Sequence, residues 1–235
     1  MTYRPIFKDD EYHKPSRHHE IETNKGTILY AHIRKNASTA FKKLCSSENS
    51  KIVRIKNKNS KKYVGKVFVY RDPLARFISV FLNKFVYNSH ANDVKENFYS
   101  LTSNEIETIK FNDFVEYTQH DFSKIDCHLR PQKSHLWDIE YDNTINIDDL
   151  YESMRQYLGT QKSHIYFSKK INSSHSKGKE TQESLIDKTI NELRKMCNED
   201  VALKPHNFFS SELKEYVQDR YRSDYEMISD IQSQH

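Results

Sequence analysis

The sequence predicts an α/β protein with a central, mostly parallel sheet flanked by helices in three layers. Two segments carry this prediction: residues 30–44 read YAHIRKNASTAFKKL and residues 66–82 read KVFVYRDPLARFISVFL. In each, an apolar run of β-branched or aromatic residues gives way to a polar turn and then to an amphipathic pattern. This order is typical of a strand, a loop and a helix. Apolar strands that alternate with helices indicate a parallel sheet covered on both faces.

The composition fits a single α/β domain with a sizeable core. The chain has 235 residues, and its four glycines and five prolines form no linker between domains. We therefore expect a polar N-terminal arm at 1–25 and one domain at 26–235. The formal net charge of +4 favours anionic ligands without requiring nucleic acid as a partner.

The elements follow from the periodicity of apolar residues along the chain. Apolar runs predict strands at 27–33, 52–55, 67–70 and 164–167, with a further strand ending near 147. Helical spacing predicts helices at 38–46, 74–87, 111–119, 149–158, 182–197 and 210–231. A capping-box-like TSNEIETI predicts another helix start at Thr102 or Ser103.

Both predicted strand–helix loops collect side chains that bind anions. A helix N-terminus offers unpaired N–H groups and the positive end of the helix dipole. The first loop adds Arg34, Lys35, Asn36, Ser38 and Thr39, and the second adds Arg71, Asp72, Arg76 and Ser79. The carboxyl ends of parallel strands meet at one edge of a sheet, so we expect a single ligand with anionic groups at both ends.

The first loop differs from the nucleotide-binding pattern G-x-x-x-x-G-K-[ST]. Its lysine precedes the hydroxyls and it has no glycine, which disfavours a magnesium-dependent NTPase. It resembles instead the 5′-phosphosulfate loop of sulfotransferases, P-K-x-x-[ST]-[ST], with Arg34 where proline is usual. RDPLARFIS at 71–79 resembles their 3′-phosphate motif, R-D-P-x-x-R-x-x-S. The resemblance implies a P-loop-like fold that binds 3′-phosphoadenosine 5′-phosphosulfate (PAPS).

Further matches follow in order over residues 27–230. They are DCHLRPQ at 126–132, similar to D-x-H-x-x-P-Q, then INIDDL at 145–150, IYFSKKINSS at 165–174 and YRSDYEMI at 221–228. The ordered set resembles the carbohydrate branch of the family, which is Golgi-type and similar to heparan sulfate 2-O-sulfotransferases. In that branch the region at 88–124 shapes the acceptor site.

The resemblance implies a donor site and a catalytic lysine. Lys35 is expected to stabilise charge on the leaving phosphate, and the alternative is a solvated surface lysine. The donor-binding set is Arg34, Lys35, Asn36, Ala37, Ser38, Thr39, Ala40, Arg71, Ser79, Lys177 and Gly178. Alternatives remain for its members: Ser38 and Thr39 as helix caps, Arg71 paired with Asp72, and a solvated charge run at 176–179.

His128 is the leading catalytic base, because an imidazole titrates near neutrality and the D-x-H-x-x-P-Q stretch contains it. Asp126 is a candidate to orient it, and His32 is a second candidate base. Arg130 and Gln132 are expected to contact the acceptor, the arginine in particular if that acceptor is anionic.

Three weaker signals favour ordinary structural roles. Histidines and a glutamate at 13–20 lack metal-ligand spacing, so we expect no metal. Cys127 lacks a pattern of oxyanion donors, which favours a buried inert thiol. Residues 51–66 carry seven basic side chains and no acidic one, typical of a solvated loop or of a surface for an anionic polysaccharide or membrane headgroups.

The sequence therefore predicts in-line transfer of a sulfuryl group from PAPS to a hydroxyl of a carbohydrate or glycoconjugate, with 3′-phosphoadenosine 5′-phosphate (PAP) as product. The alternatives are a nucleotide-dependent kinase and a non-catalytic binder of sulfated or phosphorylated ligands. The sequence shows no transmembrane run, and three scattered cysteines favour a reducing compartment. We expect a soluble cytoplasmic enzyme of bacterial type; the alternative is a chain whose membrane anchor has been removed.

Overall fold

A computed structural model describes residues 2–53, 62–168 and 178–234. The chain forms two compact units. The first unit comprises Met1–Arg71, Pro131–Ile171 and Ser223–His235, and the second comprises Asp72–Arg130 and Asn172–Arg222.

The regular elements are seven strands and eight α-helices within the described ranges. The strands are β1 (His18–Thr23), β2 (Gly26–Ala31), β3 (Ser50–Val53), β4 (Gly65–Tyr70), β5 (Asn143–Asn146), β6 (Lys179–Glu180) and β7 (Val201–Ala202). The helices are α1 (Ser38–Ser47), α2 (Pro73–Val80), α3 (Asn92–Thr102), α4 (Phe111–Tyr117), α5 (Leu150–Phe167), α6 (Ile190–Asn198), α7 (Ser211–Arg220) and α8 (Arg222–Ser233).

The first unit is built on a five-stranded sheet in the order β3-β1-β2-β4-β5. β4 pairs in parallel with β2 and with β5, so the two strands that precede the anion-binding loops are neighbours. β1 pairs antiparallel with β2 and with β3. The predicted α/β class with a central sheet is confirmed.

Helices cover both faces of this sheet, as the apolar strands require. Val67 and Val69 of β4 pack in a core cluster with residues of α1 and α5. The alternate residues Phe68 and Tyr70 pack in a second cluster with Met227 of α8. Alternation along one strand thus separates the two cores, and the first unit has the predicted helix–sheet–helix layers.

The second unit is mainly helical and has an aromatic core. Its centre is formed by phenylalanines of α2, of the helical turns that directly follow it, of α4 and of the 3-10 turn Pro205–Phe208: Phe77, Phe81, Phe85, Phe111, Phe114 and Phe208. The expected helix at 74–87 is α-helical only to Val80, and Phe81–Val86 is a π-helix. There Lys84 is buried and donates to the carbonyl oxygens of Ser89 and His90, at 2.9 and 2.8 Å.

Several predicted elements differ from the structure. The segment expected as a strand at 164–167 is the last turn of α5, which is interrupted at Gly159 by a non-helical backbone (φ 76°, ψ 170°). Thr102 ends α3 instead of starting a helix, and Ser103 adopts a left-handed conformation. The helix expected at 210–231 is two helices that meet at Tyr221.

The N-terminal segment also differs from the expected arm. His18–Thr23 is β1, and Tyr3 bridges to Tyr141. The polar sequence did not predict this strand, because the sequence does not show that His18 is buried and has partners for its ring. His18 stacks on Trp137 at 3.9 Å between ring centroids and lies 2.8 Å from the Tyr141 hydroxyl through Nε2.

Within the described residues, no helix combines the length and the apolar character needed to cross a bilayer.

Candidate active site

The first anion-binding loop connects β2 to α1 through two strained positions. Lys35 and Ala37 have positive φ angles of 69° and 56°. A left-handed conformation costs a residue other than glycine about 1 kcal/mol, so a loop without glycine concentrates strain at these two residues. Ala37 is the N-cap of α1, and its side chain makes no hydrogen bond to this helix. Ser38 and Thr39 are therefore the first two helical residues, not caps.

Asn36 lies in the same loop, but its side chain points away from solvent. It is fully buried, and its Nδ2 donates to the main-chain oxygen of Val69 at 2.8 Å and to Oε1 of Gln132 at 2.5 Å. These bonds attach the loop to the carboxyl end of β4. Any contact of Asn36 with a bound anion must therefore come from its backbone.

Gln132 joins the two loops of the first unit. The same Oε1 that accepts from Asn36 also accepts from the main-chain N–H of Arg71 at 3.0 Å. Its Nε2 donates to the Arg71 carbonyl at 2.8 Å and lies 3.3 Å from Oδ2 of Asp224. Gln132 is completely buried with these partners. The sequence predicted that Gln132 contacts the acceptor. In the structure its side chain instead positions the two loops.

Asp224 completes this network from the start of α8. Its two carboxylate oxygens accept from the main-chain N–H groups of Gln132 and Lys133, each at 2.9 Å. The side chain is fully buried. The YRSDYEMI segment signalled a terminal helix, but its spacing alone did not reveal that its aspartate supports the segment at 131–133.

The second loop enters α2 at the start of the second unit. Asp72 caps the helix, because its Oδ1 accepts from the N–H of Ala75 at 2.7 Å. Arg76 is buried and donates from Nη1 to the carbonyl of Arg130 at 2.9 Å. Ser79 lies one turn further along α2 and is partly exposed. The aspartate is thus a structural cap, and Arg76 joins α2 to the segment that carries His128.

His128 and Asp126 form an ordered pair in the second unit. One carboxylate oxygen, Asp126 Oδ1, lies 2.6 Å from His128 Nδ1 and also accepts the main-chain N–H of His128 at 2.8 Å. A turn at 127–128 brings the two side chains together, which a strand would not do. The pair is mostly buried, with 13% of the histidine side chain exposed. A carboxylate at Nδ1 holds the proton there and leaves Nε2 as the basic nitrogen.

Arg130 follows in the same segment, where the sequence analysis expected an acceptor contact. Its Nε donates to the carbonyl oxygens of Phe122 and Ile125, at 3.0 and 3.2 Å. The guanidinium therefore closes a turn of the main chain. Cys127 brings its sulfur within 4.8 Å of the ligand atoms of Asp126 and His128, a group that could hold a metal ion. Because the aspartate already accepts two hydrogen bonds from the histidine, we interpret the cluster as an oriented base.

His32, the second candidate base, directly follows β2 and begins the first loop. It is 4% exposed, and burial lowers its pKa to about 3, with smaller contributions from His19 and nearby cations. At neutral pH it is therefore an uncharged imidazole. Such a low pKa makes it a poorer base near neutrality than an ordinary histidine.

In the charge run at 176–179, Gly178 is described and Lys177 lies outside the described residues. Gly178 has a φ of 125°, and an added Cβ would lie 2.3 Å from the carbonyl oxygen of Asp200. This position therefore requires glycine for backbone reasons, independent of any ligand.

Comparison with known proteins gives one match. A family model described as the sulfotransferase family matches residues 18–228. The matched range begins with β1 and ends within α8, so it includes both loops and the His128 segment. Neither the curated proteins nor the solved structures gave a match.

Proposed function

Because the chain belongs to the sulfotransferase family, we propose that it transfers the sulfuryl group of PAPS to a hydroxyl of a carbohydrate or glycoconjugate. The observation that carries the proposal is the loop at 32–38. Together with the first turn of α1 it presents a lysine and two hydroxyls at a helix N-terminus whose N-cap, Ala37, makes no capping side-chain hydrogen bond. Such an end binds an anion through its free N–H groups and the helix dipole.

In this proposal the loop binds the 5′-phosphosulfate of the donor. Ser38 and Thr39 donate hydroxyls to it, and Lys35 stabilises the negative charge that builds on the leaving phosphate oxygen. The S–O bond to the phosphate breaks while a new S–O bond forms to the acceptor oxygen, and PAP leaves. Chemistry of this kind depends on positioning and electrostatics more than on covalent help.

We assign the 3′-phosphate to Arg71 and Ser79, with Lys177 and Gly178 as further candidates. The main-chain N–H and the carbonyl oxygen of Arg71 are both hydrogen-bonded to the side chain of Gln132, which fixes the position of this arginine's backbone. Arginine suits this role because its planar fork matches phosphate oxygens bidentately.

His128 is the proposed general base. Nε2 takes the proton of the acceptor hydroxyl as that oxygen attacks sulfur, and Asp126 stabilises the imidazolium that results. This assignment is supported by the short contact at Nδ1. The segment at 88–124, which includes α3 and α4, is proposed to shape the acceptor site of an enzyme similar to heparan sulfate 2-O-sulfotransferases. The three cysteines form no disulfide among the described residues, which supports the proposal of a cytoplasmic location.

Calorimetric titration with PAP, against ADP and ATP with and without magnesium, tests the donor. We expect binding that prefers PAP and is independent of magnesium. A preference for ATP with magnesium would favour a kinase, and the absence of any nucleotide binding would overturn the donor assignment.

Lys35→Ala separates an enzyme from a binder. With radiolabelled PAPS and a panel of glycans, the variant should lose about two orders of magnitude in rate or more, with a much smaller loss in PAP affinity. Lys43→Ala is the matched control, because Lys43 is an exposed lysine on the body of α1. An equal loss of rate in both variants would contradict the role of Lys35.

A further inference from the structure

The first unit contains a cavity that the proposed reaction does not use. Its volume is about 370 Å³, and it lies where β1, β2 and β3 meet α1. It is lined by His19, Tyr30, His32, Phe41, Lys42, Cys45, Ser46, Ser50 and Ile52. The loop at 32–38 connects the strand and the helix that form its walls.

Two buried polar atoms in this wall have no hydrogen-bond partner within the described residues. They are Nε2 of His32 and the hydroxyl of Tyr30, which belong to residues 4% and 1% exposed. A buried polar group without a partner costs about 1–3 kcal/mol. Both groups can donate a hydrogen bond, and their rings lie 6.3 Å apart between centroids. A ligand with acceptor atoms would satisfy both.

The charges around the cavity favour an anion over a cation. Lys42 lines the cavity, and Arg17, Arg34 and Lys42 each add to the lowering of the His32 pKa that burial causes. Among the described residues that line the cavity, none is an aspartate or a glutamate. His19 has a lowered pKa as well, from burial first and then from Arg17 and Lys42. Positive charge beside uncharged donors is the environment that a carboxylate or sulfate needs.

The remaining walls combine the apolar side chains of Phe41 and Ile52 with Cys45 and the serines Ser46 and Ser50. Phe41 stacks on Tyr30 at 3.6 Å between centroids, and Ile52 at the rim is 57% exposed. A cavity of this volume lies at the lower end of small-molecule pockets, about 300–1,000 Å³. It therefore has room for a ring as well as for the charged group attached to it.

We propose that this cavity binds a ring-sized organic acid, with its carboxylate or sulfate bonded by His32 and Tyr30 and paired with Lys42. The acid is either a free small molecule or an acidic sugar within a glycan. The inference does not depend on the donor assignment, because none of the nine lining residues is assigned there to PAPS or to the transferred group.

The test uses the full chain with nitrogen-15-labelled histidine, observed through its imidazole resonances. His32→Gln identifies the His32 signals by their loss. The probes are glucuronate, glucose as its uncharged counterpart, and inorganic sulfate. We expect a saturable shift of the His32 signals with glucuronate and none with glucose. No shift with either anion, or an equal shift with glucose, would overturn the proposal.

A pair of neighbouring lysines provides the matched control. Lys42→Gln should weaken glucuronate binding by about threefold to tenfold, while Lys43→Gln, which lies outside the cavity lining, should leave it unchanged. Equal weakening by both would indicate general attraction to a basic surface and overturn the proposal. Sulfate binding as tightly as glucuronate would overturn the role of the ring.

A disaccharide that ends in glucuronate distinguishes the two sources. If the disaccharide binds at least as tightly as free glucuronate, the acid that the cavity binds is a sugar within a glycan. If the disaccharide binds more weakly, the acid is a free small molecule. PAP is absent throughout, so a negative result here leaves the titration with PAP unaffected.

Discussion

Gln132 accepts a hydrogen bond from Asn36 at 2.5 Å through the same oxygen that accepts from the main chain of Arg71. One buried amide therefore sets the relative position of the two loops to which we assign the donor's phosphates. Asn36 is in turn held to β4 through Val69, so the arrangement is anchored to the sheet. The site is positioned by a residue that touches neither proposed phosphate.

A double-mutant cycle at Asn36 and Gln132 tests this link. Asn36→Ala and Gln132→Ala should each destabilise the protein by about 2–4 kcal/mol, because each leaves buried polar partners unsatisfied. The double variant should be less destabilised than the sum, with a coupling of about 1–2 kcal/mol measured by urea unfolding. Asn49→Ala, which removes an exposed side-chain bond to Glu22, is the control with little effect. Additive losses would contradict the coupling.

Ala37→Gly should stabilise the protein by up to about 1 kcal/mol, because glycine adopts the left-handed conformation without the Cβ clash. The matched substitution Ala40→Gly, three residues later within α1, should destabilise it by about 1 kcal/mol or more. Thermal or urea unfolding of the two variants gives the comparison. The same sign for both would show that Ala37 carries no backbone strain.

His128→Gln should lower kcat by about two to four orders of magnitude, since it removes the proposed general base. Asp126→Asn should also lower kcat, because an amide no longer fixes the protonated Nδ1. Titration with PAP should give nearly unchanged affinity for both, because neither residue is assigned to the donor. His164→Gln, on an exposed position of α5, should retain full activity. Full activity of His128→Gln would show that another group is the general base.

The stability of the protein should fall as the pH falls below 6.5. His18 and His32 have folded-state pKa values of about 3, lowered by burial from 6.5. The unfolded chain therefore binds protons that the folded chain does not, and the stability present above pH 6.5 is lost as the pH falls towards 3. Each group contributes a slope of up to about 1.4 kcal/mol per pH unit in this window.

Urea unfolding at several pH values between about 7.5 and 4.5 measures this slope. The range begins above the unfolded pKa of 6.5 and stays above the folded pKa of about 3. His32→Gln should reduce the slope of unfolding free energy against pH by the contribution of one histidine, whatever the substitution does to stability at neutral pH. Asn49→Ala, which removes no titratable group, should leave the slope unchanged. A wild-type curve that is flat between pH 6.5 and 5 would show that these two histidines are not buried in neutral form.

Local sequence order determined the two strand–loop–helix segments, the helix cap at Asp72 and the residues of both anion-binding loops. These features depend on alternation and on contacts within a few residues, which a single segment contains. The tertiary structure alone decided the roles of Gln132 and Asp224, since their partners lie between 61 and 96 residues away along the chain. It also decided that His18–Thr23 pairs as a strand and that 164–167 continues a helix. At His18–Thr23 burial against distant segments outweighed a polar local pattern, because packing energy depends on which surfaces meet, and local sequence order does not specify that.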